Sequence, residues 1–255
     1  MTRNFCSRLV ATAFIISTMC VRLSASNADY DKAVKALGAR DYTTALRYLE
    51  SAISDDPDNV RYASEYRQAA IQARDFDRSV QFFEKLASEK PNSANVHLNF
   101  GFAYVDKIPA AGSITQVILA NNALKEFTKA VELQPNWINY YTRGMSYLFW
   151  PKVFNRAPFG VADLEKALQI QKPGLRRSYY VKTYVGLGDG YWKTDDLKRA
   201  RAIWKEGLKQ FPDNPELKAR LAQKGDELKA TIEAGFDPGK RVNTDLKELW
   251  ANSQN

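Results

Sequence analysis

The sequence is nearly empty of the side chains that carry most protein chemistry. Its 255 residues hold two cysteines, Cys6 and Cys20, and one histidine, His97. Both thiols fall within the first 28 residues, so the rest of the chain has neither a disulfide nor a thiolate and must owe its stability to packing. A nucleophile and base pair would have to be assembled around His97, and a zinc site could add only carboxylates to it. The glycines of GLGDGYW at 186–192 follow no strand, and no phosphate-binding loop occurs. The pairs Asp55–Asp56 and Asp195–Asp196 sit at expected helix ends, where carboxylates cap. His97 itself is placed as a packing histidine. The expectation is a non-enzyme with no cofactor and no metal.

No apolar run is long enough to span a bilayer either. The longest, Leu9–Val21, has 13 residues against the roughly 20 that a membrane helix needs. It follows Arg3 and Arg8 and precedes the small stretch SASNA, which is the order of a secretory signal peptide over residues 1–28, cleaved near Ala28. About 227 residues would remain, enough for one or two domains. No Asn-x-Ser/Thr sequon occurs, and the expected destination is the bacterial periplasm. The formal charge of +8 falls to near +5 without the three leading arginines. So mild a surplus keeps a helical surface hydrated; it argues against a nucleic-acid partner and allows at most peripheral membrane association.

What the chain does have is a repeat. Helical apolar spacing recurs with prolines at Pro57, Pro91, Pro135, Pro173 and Pro212, separated by 34, 44, 38 and 39 residues. The last unit places Tyr184, Leu187, Gly188 and Tyr191 ahead of Ala200, Trp204, Gly207 and Pro212. Earlier units repeat the second half: Ala45, Leu49, Ala52 and Pro57; Ser79, Phe83, Leu86 and Pro91; Ala123, Phe127, Ala130 and Pro135. In residue types and spacing this resembles the tetratricopeptide repeat. The resemblance implies an all-α, right-handed α-solenoid of about five helix pairs, near 29–59, 60–93, 94–136, 137–174 and 175–214. A capping helix is expected from Pro215, started by Asn214, to Ala234, because the last pair cannot leave an apolar face in water. The solenoid with its cap thus covers 29–234, and 235–255 reads as a linker with a short apolar element, TDLKELW.

The same resemblance implies a groove lined by the first helix of each pair. Carried onto this chain, its apolar middle consists of Leu98, Phe102, Tyr141, Met145, Leu148, Phe149, Val185 and Trp192, with Arg61, Ser64, Gln68, Asn95 and Asp106 among the polar positions. Such a groove suits an amphipathic helix or an extended segment with apolar anchors. The tail offers an internal occupant, with Leu246, Leu249 and Trp250 at helical spacing.

Two units are longer than the basic 34 residues, and both additions fall between the helices of a pair. The first, VDKIPAAGSITQVILANN, is expected to lengthen a helix capped by Ser113 and to leave Ile114, Val117 and Ile118 beyond the repeat edge. The second, WPKVFNRAPFG, contains Trp150, Val153, Phe154, Arg156 and Phe159. Either these aromatics cover the bare helix and form a stiffening module, or the edge is a docking platform. The functional expectation is a non-catalytic periplasmic scaffold or adaptor that binds a protein or peptide partner and assists complex assembly. A binding module for a cell-wall glycan is the alternative.

Overall fold

The structure is a computed structural model that describes residues 27–250; the expected signal peptide lies outside them apart from its last two residues. Among the described residues the regular structure is helical throughout. The helices are α1 (27–38), α2 (Tyr42–Asp55), α3 (Val60–Ala73), α4 (Phe76–Glu89), α5 (Ala94–Lys107) and α6 (Ser113–Leu133). They continue as α7 (Trp137–Leu148), α8 (Ala157–Gln171), α9 (Val181–Lys193), α10 (Leu197–Gln210), α11 (Pro215–Ala222), α12 (Gly225–Ala234) and α13 (Lys247–Trp250). The expected pairs are therefore α1/α2, α3/α4, α5/α6, α7/α8 and α9/α10.

Local chemistry explains where the regular pairs turn. After α1, α3 and α9 the chain enters the left-handed region at Arg40, Arg74 and Asp195, with φ of 58°, 56° and 64°. The following aspartate N–H then bonds back across the helix end: Asp41 to the Ala36 carbonyl, Asp75 to Ala70 and Asp196 to Tyr191, at 2.8–2.9 Å. This closure satisfies carbonyls that the helix end leaves orphaned. The same Asp41 and Asp196 then start the next helix, their carboxylates accepting from the N–H of Thr44 and Arg199. Asn59, Asn136 and Asn214 cap α3, α7 and α11 in the same way. The two pairs that carry insertions lack the left-handed closure. Lys107 runs into a 3₁₀ turn over Ile108–Ala110, and α7 ends at Phe149 in right-handed conformation.

The chain divides into two compact units, one formed by residues up to Asp106 together with the segment from Asn243, the other by Lys107–Val242. The division falls within the third expected pair. Unit 1 is packed around Leu46, Leu49, Ile53, Tyr66, Phe83, Leu86 and Phe100. Unit 2 is packed around Leu148, Leu164, Leu187, Trp204, Leu217 and Ile232. In unit 2 the close approach of α7 and α8 depends on a missing side chain: a Cβ on Gly160 would lie 2.7 Å from the Gly144 carbonyl. The glycine that stands at this position instead of the alanine usual in the repeat is thus a packing requirement.

Two expectations need adjustment. Ser113 is the first residue of α6 rather than its cap; Gly112 precedes it and supplies no side-chain bond. The capping segment is two helices, α11 and α12, because Gln223 and Lys224 are extended and Gly225 is left-handed at φ 51°.

A Cβ on Gly188 would collide with Nε1 of the fully buried Trp204. Gly188→Ala is therefore expected to cost unit 2 about 1–3 kcal/mol through overpacking. Gly38→Ala, with nothing within 4 Å of the new Cβ, should be neutral or stabilise by up to about 1 kcal/mol. Urea unfolding followed by tryptophan fluorescence and helical circular dichroism compares the two.

Candidate functional site

In unit 1 the face formed by α3 and α5 is polar at its centre and already covered. Arg67 lies in α3 on a stripe of small residues, with Ala63 one turn before and Ala70 one turn after, and its side chain has no exposed surface. Each nitrogen of its guanidinium has a partner. Nε donates to Asn99 Oδ1 at 3.0 Å and Nη1 to Asp106 Oδ2 at 3.0 Å, while Nη2 donates to the Thr244 carbonyl at 2.6 Å. Phe102 lies beneath, its ring 4.8 Å from the guanidinium carbon. Burial pushes the guanidinium below its usual range and the Asp106 carboxylate opposes the shift. A charge this deep is tolerated because each of the three nitrogens has a partner and one partner is itself charged.

The third partner comes from the far end of the chain. Residues 243–246 lie on α3 without regular structure before the single turn α13, with Leu246 left-handed at φ 50°. The Thr244 hydroxyl donates to Asp106 Oδ1 at 2.6 Å and accepts from Gln68 Nε2 at 3.4 Å. Ser64 Oγ donates to the Asp245 carbonyl, and the Arg61 guanidinium covers the Trp250 ring at 4.9 Å. Leu246 is buried, whereas Leu249 and Trp250 are half-buried. The tail thus lies on α3 through Thr244, Leu246 and Trp250, and the strongest of its bonds go to Thr244, which the spacing of the tail's apolar residues did not single out. Arg67 and Asn99 were also missed. An arginine on a small-residue stripe was the available signal, since that location demands a buried acceptor.

Leu98 and Phe102 are buried in unit 1 rather than offered to solvent. In unit 2 the other groove positions are also largely consumed. Leu148 and Val185 belong to the core, with Leu148 fully buried. Tyr141 stacks on Trp137 with centroids 5.0 Å apart. Met145 fills the space beside Gly186, its Sδ 2.5 Å from where a Cβ would stand. Phe149 meets the edge of Phe236 at 5.2 Å, and the Lys193 ammonium caps the Phe236 ring at 4.1 Å while donating to the Leu148 carbonyl. Trp192 packs half-buried against the same core. An open apolar groove through these positions is therefore corrected: after α12 the chain turns at Gly235 and returns Phe236 to the face where a ligand was expected.

The inserted edge of unit 2 shows the opposite error. Trp150 is buried, beneath the Arg156 guanidinium at 3.8 Å and against the edge of Phe154 at 5.2 Å. Phe159 leans on Tyr147 at 5.7 Å. Arg156 reaches α6 by one hydrogen bond, Nη2 to Asn121 Oδ1 at 3.1 Å. The aromatics do not blanket the lengthened helix: Ile114 stays 82% exposed and Ile118 54%, with Val153 at 86% and Phe159 at 61%. Val117 and Phe154 are also exposed. The turn satisfies its own tryptophan with its own arginine, and the bare face of α6 remains bare.

His97 is buried and its Nε2 donates to the Pro91 carbonyl at 3.1 Å, a packing arrangement. Among the described residues no group of three or more His, Cys, Asp or Glu side chains is placed to hold a metal, and no helix is long and apolar enough to cross a membrane.

Tetratricopeptide-repeat family models match residues 36–98 and 181–223. The chain carries tetratricopeptide repeats. The stretch between the two matches holds both insertions. Among solved structures, TTC0263, a thermophilic tetratricopeptide-repeat protein of Thermus thermophilus, is 18% identical with a TM-score of 0.54 and covers 78% of this chain and 97% of its own. MamA from Desulfovibrio magneticus RS-1, residues 41 to the end, is 18% identical with a TM-score of 0.52, covering 75% and 97%. A further MamA protein is 16% identical at 0.50, covering 79% and 96%. At these identities the likeness is one of fold. No curated protein matches the chain.

Removing the acceptor alone strands the guanidinium. Asp106→Ala is expected to cost unit 1 about 3–5 kcal/mol, and the paired replacement Arg67→Met with Asp106→Leu to recover most of it. Chemical denaturation of the three chains measures both values, and equal stability of the single and paired variants would contradict the buried-pair account.

Proposed function

We propose that this chain is a non-catalytic scaffold or adaptor, exported to the bacterial periplasm, that binds a protein partner and assists the assembly of a complex. The tetratricopeptide repeats support an interaction role in general. The observation that carries the specific reading is the inserted part of unit 2, where Ile114, Ile118, Val153 and Phe159 are each exposed and Arg156 ties the turn to α6. Exposed apolar surface of this kind has no folding benefit and is retained where another protein covers it. The partner class that fits is a protein with an apolar surface of its own. A sugar ligand would stack best on tryptophan faces, and here Trp137 stacks on Tyr141 while Trp150 lies under Arg156, so that the exposed rings of the edge are those of Phe154 and Phe159. Export rests on the order of charged, apolar and small residues at the N-terminus.

The triple replacement Ile114→Ser, Ile118→Ser and Val153→Ser should leave stability within about 0.5 kcal/mol, because exposed side chains contribute little to folding. In cross-linked cells the native chain is expected to recover a stoichiometric partner that the triple variant loses. Intact mass of the exported chain should show a start near Asp29. An unchanged partner set in a folded variant would sink the docking role of the edge, and an uncleaved cytoplasmic chain would sink export.

A further inference from the structure

In unit 2 the junction between α8 and α9 differs from the other junctions between pairs. Those have three or four residues, 56–59, 90–93, 134–136 and 211–214, whereas 172–180 has nine. Its charge is one-sided. From Lys166 to Gly188 the chain carries five cations, Lys166, Lys172, Arg176, Arg177 and Lys182, and no carboxylate. Residues 172–178 are all exposed, and Leu175 stands out among them at 84%, with Ile170 exposed near the end of α8. The loop is nevertheless held in place. Tyr179 and Tyr180 pack on the buried Trp137 at 5.0 and 5.2 Å, and Trp137 Nε1 donates to Gln171 Oε1 and Thr183 Oγ1, both at 2.9 Å. Arg176 Nη1 donates to the Gln210 carbonyl at 2.7 Å, and Lys172 pairs with Glu206 at 3.0 Å. Anchors on both sides thus fix Leu175 in water. Arg177 beside it has no carboxylate partner among the described residues.

An exposed apolar tip set among cations, with no carboxylate in the same stretch, is complementary to the interface of an anionic bilayer. Lipid phosphates take the cations, and the boundary between headgroups and acyl chains takes the leucine. A nucleic acid would answer the charge but leave Leu175 and Ile170 in water. We propose that the α8–α9 junction is a docking point for an anionic membrane surface. Leu175 enters the headgroup region there, and Lys172, Arg176, Arg177 and Lys182 meet lipid phosphates. The attachment is weak and reversible, since one leucine and a few cations fall short of a stable anchor. The inserted edge proposed for a protein partner adjoins the other end of α8, where the chain enters that helix. The two surfaces are therefore separate, and a failure at one leaves the other standing.

The test uses the whole chain with Cys6→Ser and Cys20→Ser, so that one added thiol can carry a polarity-sensitive dye. The dye is attached through Leu175→Cys or, as a control on the inserted edge, through Val153→Cys. Vesicles consist of phosphatidylcholine alone or of equal parts phosphatidylcholine and phosphatidylglycerol. On the mixed vesicles the dye at 175 is expected to brighten and shift to the blue while the dye at 153 does not, and high salt should abolish the response. Vesicle flotation of the undyed chain should show binding at least about ten-fold tighter to the mixed vesicles than to the neutral ones. Arg177→Gln is expected to weaken that binding about five-fold and Leu175→Ser by a similar factor, whereas Arg177→Lys should preserve it. Both side chains are exposed, so the variants keep the fold. Equal binding to the two kinds of vesicle, or a dye at 175 that stays silent on vesicles carrying the chain, would overturn the proposal. Undiminished binding of Leu175→Ser would overturn the insertion of the leucine.

Discussion

A pair of helices about 14 residues long has two faces and can bury only one of them against itself. Everything in this protein follows from how the second face is covered. Within a run of repeats the next pair covers it, which is why α8 packs on α9 and α2 on α3, with Gly190 of α9 lacking a side chain where Val161 of α8 enters. At the end of a run no further pair exists, and a cover of another kind is needed. In unit 2 that cover is α11, α12 and the returning Phe236. In unit 1 residues 243–250, from the far end of the sequence, lie on α3 and bond to Arg67.

The two covers use different chemistry for a physical reason. Phe236 meets an apolar face, and burial of its ring under Lys193 needs no directional partner. The tail meets a face that already contains a buried guanidinium, which cannot be left short of acceptors in a medium of low dielectric. Thr244 supplies a carbonyl to the cation and a hydroxyl to its counter-ion. The Asp189–Arg220 pair in unit 2 solves a like problem without outside help. One guanidinium edge meets both carboxylate oxygens, Nε at 2.6 Å and Nη2 at 2.8 Å, while Nη1 donates to the Glu216 carbonyl at 3.3 Å.

The insertions change what the repeat can do. Regular pairs turn through a left-handed residue and an aspartate cap, a closure so short that nothing projects. Where the closure is replaced by a 3₁₀ turn and a longer α6, apolar side chains extend past the covered part of the repeat. The proline-containing turn after α7 has enough contacts to order itself, with Trp150 enclosed by Arg156 and Phe154, and so contributes exposed apolar surface instead of covering it. The structure thus keeps an ordered edge with aliphatic residues in water, the surface proposed above for a protein partner.

Residue spacing by itself determined the helices of the repeat units and the repeat, because proline position, small-residue position and the 3.6-residue period are local properties that survive in any context. Asn214 could be recognised as a cap and His97 as a packing residue on the same grounds. The order of charges and apolar residues at the N-terminus carries the expectation of export. What only the tertiary structure decided is which apolar and polar groups are already spent. Leu148 and Phe149 look the same in sequence whether a groove is open or filled, and Arg67 is one arginine among many until Asp106, Asn99 and Thr244 converge on it from distant parts of the chain. Period and propensity act over a few residues; the desolvation of a charge and the covering of a face depend on every atom that arrives, from however far along the sequence.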